Sequence, residues 1–202
     1  MTRCFPAALA VILLMFRGVP AGAGTFIFGP LEAETPEGWV AAHSKFEGEA
    51  TVFYLVLDGP EYDGMFGPKV VIGFSAAVGD DGSAADLTMI ERGFREQLSA
   101  AQIEKFGGGR GLIIKYRDDG RTDLEPVKLA LYLFEGGTLQ FMIFPPEGDP
   151  RFKNWTEAQR NEIRNVWQSL TSDDPAAGRL LKAARKDLPP EFFRWPAPPG
   201  PR

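Results

Sequence analysis

The 202-residue chain contains one histidine, His43, and one cysteine, Cys4. An imidazole acting as general base needs a nucleophile within hydrogen-bond reach and a carboxylate to orient it. Ser44 adjoins His43 in VAAHSKFEG, but neighbours on a strand point to opposite faces, and no Gly-x-Ser-x-Gly elbow occurs. His43 therefore reads as a surface or structural residue, with ligand contact as the alternative. Three acidic stretches concentrate oxygen ligands: LDGPEYDG (57–64), GDDGSAAD (79–86) and RDDGRTDLE (117–125). None has the ligand spacing of a calcium loop, and Asp, Gly and Pro are ordinary turn formers. Asp58, Glu61 and Asp63 are the best candidates for weak cation binding.

FGGGRG (106–111) raises phosphate chemistry. A phosphate-cradling glycine loop follows a strand and opens a helix, whose N-terminus supplies free N–H donors. Here the apolar spacing of Leu87, Ile90, Phe94, Leu98 and Ile103 predicts a helix over Ser83–Phe106 that ends at the glycines, with Ser83 and Asp86 as its capping box. LIIKY (112–116) reads as a strand after them. The glycines should terminate the helix, with Gly107 in the left-handed conformation.

The N-terminus carries an address. Arg3 precedes the apolar run Phe5–Phe16, and Ala21-Gly22-Ala23 provides small residues for a signal-peptidase cut. The expected organisation is a signal peptide over 1–23, one α+β domain over 24–171 and a Pro/Ala-rich disordered tail over 172–202 that carries a short basic amphipathic segment with Leu180, Leu181, Ala184 and Leu188 on its apolar side. Cys4 falls inside the signal, so the mature chain would hold no disulfide or thiolate site, which suits a bacterial periplasm. The whole chain has a formal net charge of −5. Loss of Arg3 and Arg17 would take it to about −7, a balance that argues against nucleic acid as a partner.

Strand signals occur at Thr25–Phe28, around Trp39–Ala42, and at Ala50–Leu57 and Lys69–Ala77. VKLALYLFE and TLQFMIF flank Gly136-Gly137, which reads as a two-residue hairpin turn. That register sets Phe134 opposite Leu139, Tyr132 opposite Phe141 and Ala130 opposite Ile143. Leu129, Leu131, Leu133, Met142 and Phe144 then line the other face, with Gln140 the polar exception. Both faces are apolar and both need covering. The covers available are the helix after Ser83 and a second one, N-capped by Thr156 with Gln159, bearing the stripe Ile163, Val166, Trp167 and Leu170. The expected fold is α+β: a mainly antiparallel sheet of roughly six strands with helices on both faces.

The PEGW segment (Pro36–Trp39) follows a short strand, and strands, a long helix, a long hairpin and a closing helix ending in IRNVWQSL (Ile163–Leu170) come after it. This order resembles the PsbP-like superfamily, named for an extrinsic subunit of the photosynthetic oxygen-evolving complex and including exported bacterial members of unknown role. The resemblance spans 24–172. It implies an α/β/α sandwich that is usually not an enzyme and works through protein surfaces or occasionally a bound metal. No residue matches a known family metal ligand, so no metal or cofactor is expected.

The sequence accordingly points to a periplasmic, non-catalytic accessory protein that acts on another periplasmic protein. Phe192, Phe193 and Trp195 in the tail are the expected partner anchors, joined by Met65 and Phe66 between turn residues if these stay exposed rather than folding back as satellite core. The alternative is a carrier of a small apolar ligand in a pocket lined by Trp39, Tyr54, Phe141 and Trp167.

Overall fold

A computed structural model describes residues 19–20, 24–47, 50–58, 69–77, 87–98, 100–117, 126–134, 137–144 and 156–194. In chain order these form β1 (Val19–Pro20), β2 (Gly24–Phe28), β3 (Leu31–Thr35), β4 (Val40–Phe46), β5 (Ala50–Asp58) and β6 (Lys69–Ala77). Helix α1 (Leu87–Gln97), β7 (Gln102–Phe106), β8 (Gly111–Tyr116), β9 (Val127–Phe134) and β10 (Gly137–Phe144) follow, then α2 (Glu157–Ser169) and α3 (Pro175–Asp187). The class is α+β. An eight-stranded antiparallel sheet runs β1-β4-β5-β6-β10-β9-β8-β7, and β2 pairs with β3 in a separate ribbon. The strand count thus exceeds the expected six, chiefly because the short, polar-interrupted β3 and β7 carry weak local signals.

The β9–β10 hairpin has the apolar alternation expected but a register shifted by two. Tyr132 pairs with Leu139 and Ala130 with Phe141, so the connection is Glu135–Gly136, outside the described residues, rather than Gly136-Gly137. A slip of two keeps every side chain on its face, since the strand repeat is two. The faces therefore fall into two hydrophobic clusters. Ala130, Tyr132, Leu139, Phe141 and Ile143 join Leu55, Leu57 and Ile72 in one, together with Ile163, Val166 and Trp167 of α2 and Leu180, Leu181 and Ala184 of α3. Leu129, Leu131 and Met142 join Leu112, Ile114 and Tyr54 in the other, against which Leu87, Ile90 and Phe94 of α1 pack.

The helix predicted over Ser83–Phe106 is corrected. It ends at Gln97, and Gln102–Phe106 pairs with β8 as an edge strand, Ile103 opposite Ile114. Ile103 is apolar in either reading. What decides is the unpaired edge of β8, which only an extended segment can satisfy with ladder hydrogen bonds. Gly107 and Gly108 do adopt positive φ (58° and 66°), but they turn a hairpin rather than stop a helix. Gly111 then lies under the Phe106 ring, where a Cβ would come within 2.3 Å of the ring atoms.

The tail is also corrected. Residues 172–194 are folded. Thr171 and Glu32 exchange backbone hydrogen bonds of 2.9 Å, an isolated antiparallel bridge beside β3. Asp174 accepts from the amides of Ala176 and Ala177, and Pro175 occupies the first turn, where its missing N–H costs nothing. Leu180, Leu181, Ala184 and Leu188 are buried, as are Phe192 and Phe193 in a 3₁₀ turn over Pro190–Phe193. An amphipathic helix this short is marginal alone; it is held by the sheet face it covers. The capping box of α2 forms as expected, Thr156 Oγ1 accepting from Gln159 N and Gln159 Oε1 from Thr156 N. All buried hydrophobic residues of the described core lie between Phe28 and Phe193.

Candidate interaction surface

The aromatic residues singled out in the sequence belong mostly to the core. Trp39 and Phe141 are fully buried, and Trp167 is buried in the same cluster. Tyr54 belongs to the cluster on the opposite sheet face. It pairs with Gly73 and its ring lies 3.1 Å from where a Gly73 Cβ would be. The four side chains therefore line no common pocket. Tyr54 occupies the opposite face because even and odd positions of β5 diverge. Phe141 is instead ringed by Trp167, Phe192 and Phe193, at 5.1, 6.4 and 6.1 Å between centroids, each near edge-to-face. Trp39 donates its indole N–H to Glu162 Oε2 at 2.8 Å, fixing it to α2.

Phe192 and Phe193, expected as exposed anchors, fill this space, so they are not available to a partner. Met65, Phe66 and Trp195 lie outside the described residues, as do the acidic stretches apart from Leu57, Asp58 and Arg117. His43 is exposed on β4 opposite Leu55, while Ser44 is opposite Tyr54, so the two point to different faces. Among the described residues, no group of three or more His, Cys, Asp or Glu side chains could hold a metal ion.

Polar contacts inside the fold fasten the C-terminal segment. The buried ammonium of Lys128 donates to the carbonyls of Phe192 (3.1 Å) and Arg194 (2.6 Å). A buried charge is tolerable when such oxygens replace water. Arg185 donates to the carbonyls of Trp167 and Leu170 at the end of α2, favourable against the dipole of that helix. Burial pushes its pKa below the ordinary arginine value. Asp187 accepts from Tyr132 Oη at 2.9 Å and from Arg110 Nη2 at 2.8 Å. Arg110 also donates to the Gly107 carbonyl, so the end of α3 is tied to the β7–β8 turn.

Burial raises the Tyr132 hydroxyl above its ordinary value of 10.0, and the hydrogen bond to Asp187 adds to the shift, against a smaller opposing effect of Arg110. The folded state therefore favours the neutral phenol. Its contribution is fully present below the unfolded pKa and is lost as pH rises through the higher folded one. Urea unfolding between pH 9 and 12 should show stability falling on the alkaline side, with a shallower fall in Tyr132→Phe.

The sheet edges carry what the interior does not. β7, one edge, is guarded by exposed charge. Lys105 is paired with Glu91 at 3.1 Å, and Glu104 faces Lys115 at 3.4 Å. Charges of this kind discourage pairing with another chain. At the other end, β5 pairs with β4 along Val40–Phe46, whereas β1 meets β4 only at Val40 and Ala41. Among the described residues, no strand pairs with the outer side of Ala42–Phe46. The one lysine there, Lys45, is ion-paired with Glu47. This edge was not found from sequence, because an edge is a property of strand order. No family model, curated protein or solved structure matches the chain.

Proposed function

We propose that this chain is an exported, periplasmic accessory protein that acts without catalysis, through protein contacts made at its surface. One observation carries the reading: the aromatic interior is filled by its own C-terminal segment while the outer side of β4 stays open among the described residues. Trp167, Phe192 and Phe193 take up the space around Phe141, whereas a strand edge that no described strand covers offers backbone donors and acceptors, a standard means of adding a partner strand. The negative net charge and the signal-like residues 1–23 support export in soluble form. The packing of α1 against one cluster and of α2 and α3 against the other supports the resemblance to the PsbP-like superfamily, whose members mostly act through surfaces. No described helix is long and apolar enough to cross a membrane.

Native mass spectrometry of the protein isolated from its own periplasm tests the reading. The expected species is residues 24–202 alone or with added protein mass. A retained small molecule in the principal species would contradict it and favour the ligand carrier. A chain beginning at Met1 and confined to the cytoplasm would remove the export reading.

A further inference from the structure

We propose that Val19–Pro20 is a built-in cap on the sheet edge, that cleavage after Ala23 removes it, and that the vacated β4 edge takes the same strand of a second copy of this chain. The inference rests on the export reading above, since processing is what uncaps the edge. The structure seats an antiparallel segment on the outer side of β4, Val19 opposite Ala41 and Pro20 opposite Val40. The edge is thus competent for strand addition in this orientation. Pro20 fits an outermost position, where its missing N–H interrupts no further ladder. Both capping residues precede Gly24, so a cut after Ala23 deletes them.

Self-pairing follows from the order of residues on β4. An antiparallel pair of β4 strands about a two-fold axis at His43 sets Ala42 opposite Ser44, and Ala41 opposite Lys45 of the second copy. No lysine then faces a lysine, so the register carries no like-charge opposition. Isologous contacts of this sort are the commonest route to dimers. In this register Lys45 of the second copy takes the place opposite Ala41 that Val19 holds in the capped chain. Cap and copy are therefore mutually exclusive.

Because Cys4 is the sole cysteine, the test needs only one introduced thiol. His43→Cys and, separately, Lys45→Cys are made in the full chain carrying Cys4→Ser and in residues 24–202, which retain the entire described core. Each is treated with a mild oxidant and with a short thiol-to-thiol crosslinker, because directly opposed Cβ atoms lie about 4.5–5.5 Å apart. Circular dichroism establishes that each variant is folded. The expected result is covalent dimer from His43→Cys in residues 24–202, at least about tenfold more than from the full chain, with little from Lys45→Cys. Amide exchange over residues 40–46 should slow with protein concentration in the processed form only. Equal crosslinking of the two forms, equal crosslinking at positions 43 and 45, or folded protein with neither crosslink nor concentration-dependent protection would overturn the proposal. The N-terminal mass of the protein recovered from cells separates the two ideas: an uncut chain defeats the export reading, while the engineered pair still decides the edge.

Discussion

Deleting residues 173–202 is expected to abolish cooperative folding. The segment contributes Leu180, Leu181, Phe192 and Phe193 to the core, each with less than a tenth of its surface exposed. Burying one such side chain is worth about 1.5–3 kcal/mol. Four of them approach the roughly 5–15 kcal/mol that separates a whole domain from its unfolded state. The deletion also strips cover from Phe141 and Trp167 and leaves the Lys128 ammonium without the two carbonyls it donates to. Thermal or urea unfolding followed by tryptophan fluorescence and circular dichroism should show a broad, non-cooperative profile. A truncated chain with a sharp transition near that of the full chain would show that the segment is dispensable.

The second large effect is at Phe141. Its ring is fully buried at the junction of three elements, contacting Trp167 of α2 and both phenylalanines of the C-terminal turn. Phe141→Ala removes the transfer free energy of the ring and leaves a cavity whose walls come from separate elements. The expected loss is about 3–5 kcal/mol. Phe141→Leu, which keeps most of the volume, should lose clearly less. Urea denaturation with an unchanged slope and a lower midpoint would read this as lost stability rather than altered compactness.

These expectations depend on features that differ in how far local sequence encodes them. The two apolar faces of the β9–β10 hairpin are legible in the alternation of Ala130, Tyr132, Leu139 and Phe141 against Leu129, Leu131 and Met142. They survive the register shift because strand parity does. The α2 capping box is legible because Thr156 and Gln159 satisfy each other within one turn. β7 is not, because Ile103 fits a helical or a strand repeat and the choice is made by the distant edge of β8. The C-terminal segment is half legible. Leu180, Leu181, Ala184 and Leu188 declare an amphipathic helix, but nothing local says that a sheet face awaits it, and PPEFF reads as extended until Phe192 meets Phe141.

The candidate surface follows the same division. Of the expected pocket residues, Trp39, Phe141 and Trp167 share one cluster while Tyr54 lies on the other sheet face, and local sequence does not distinguish a pocket from a filled core. Phe192 and Phe193 supply the filling, which changes them from partner anchors to structural residues. VAAHSKF carries no signal that its outer side is left uncovered by the described strands, since that depends on which strands reach it.

The C-terminal segment closes one face of the sheet as part of the same core. Native-state amide hydrogen exchange on residues 24–202 checks this, together with the proposed use of the β4 edge. Amides of Leu180–Ala184 should exchange only through the same global opening as those of β9 and β10, while amides of His43–Lys45 that face away from β5 should exchange far faster in dilute protein. Rapid exchange through α3 alongside slow exchange in β9 and β10 would contradict it.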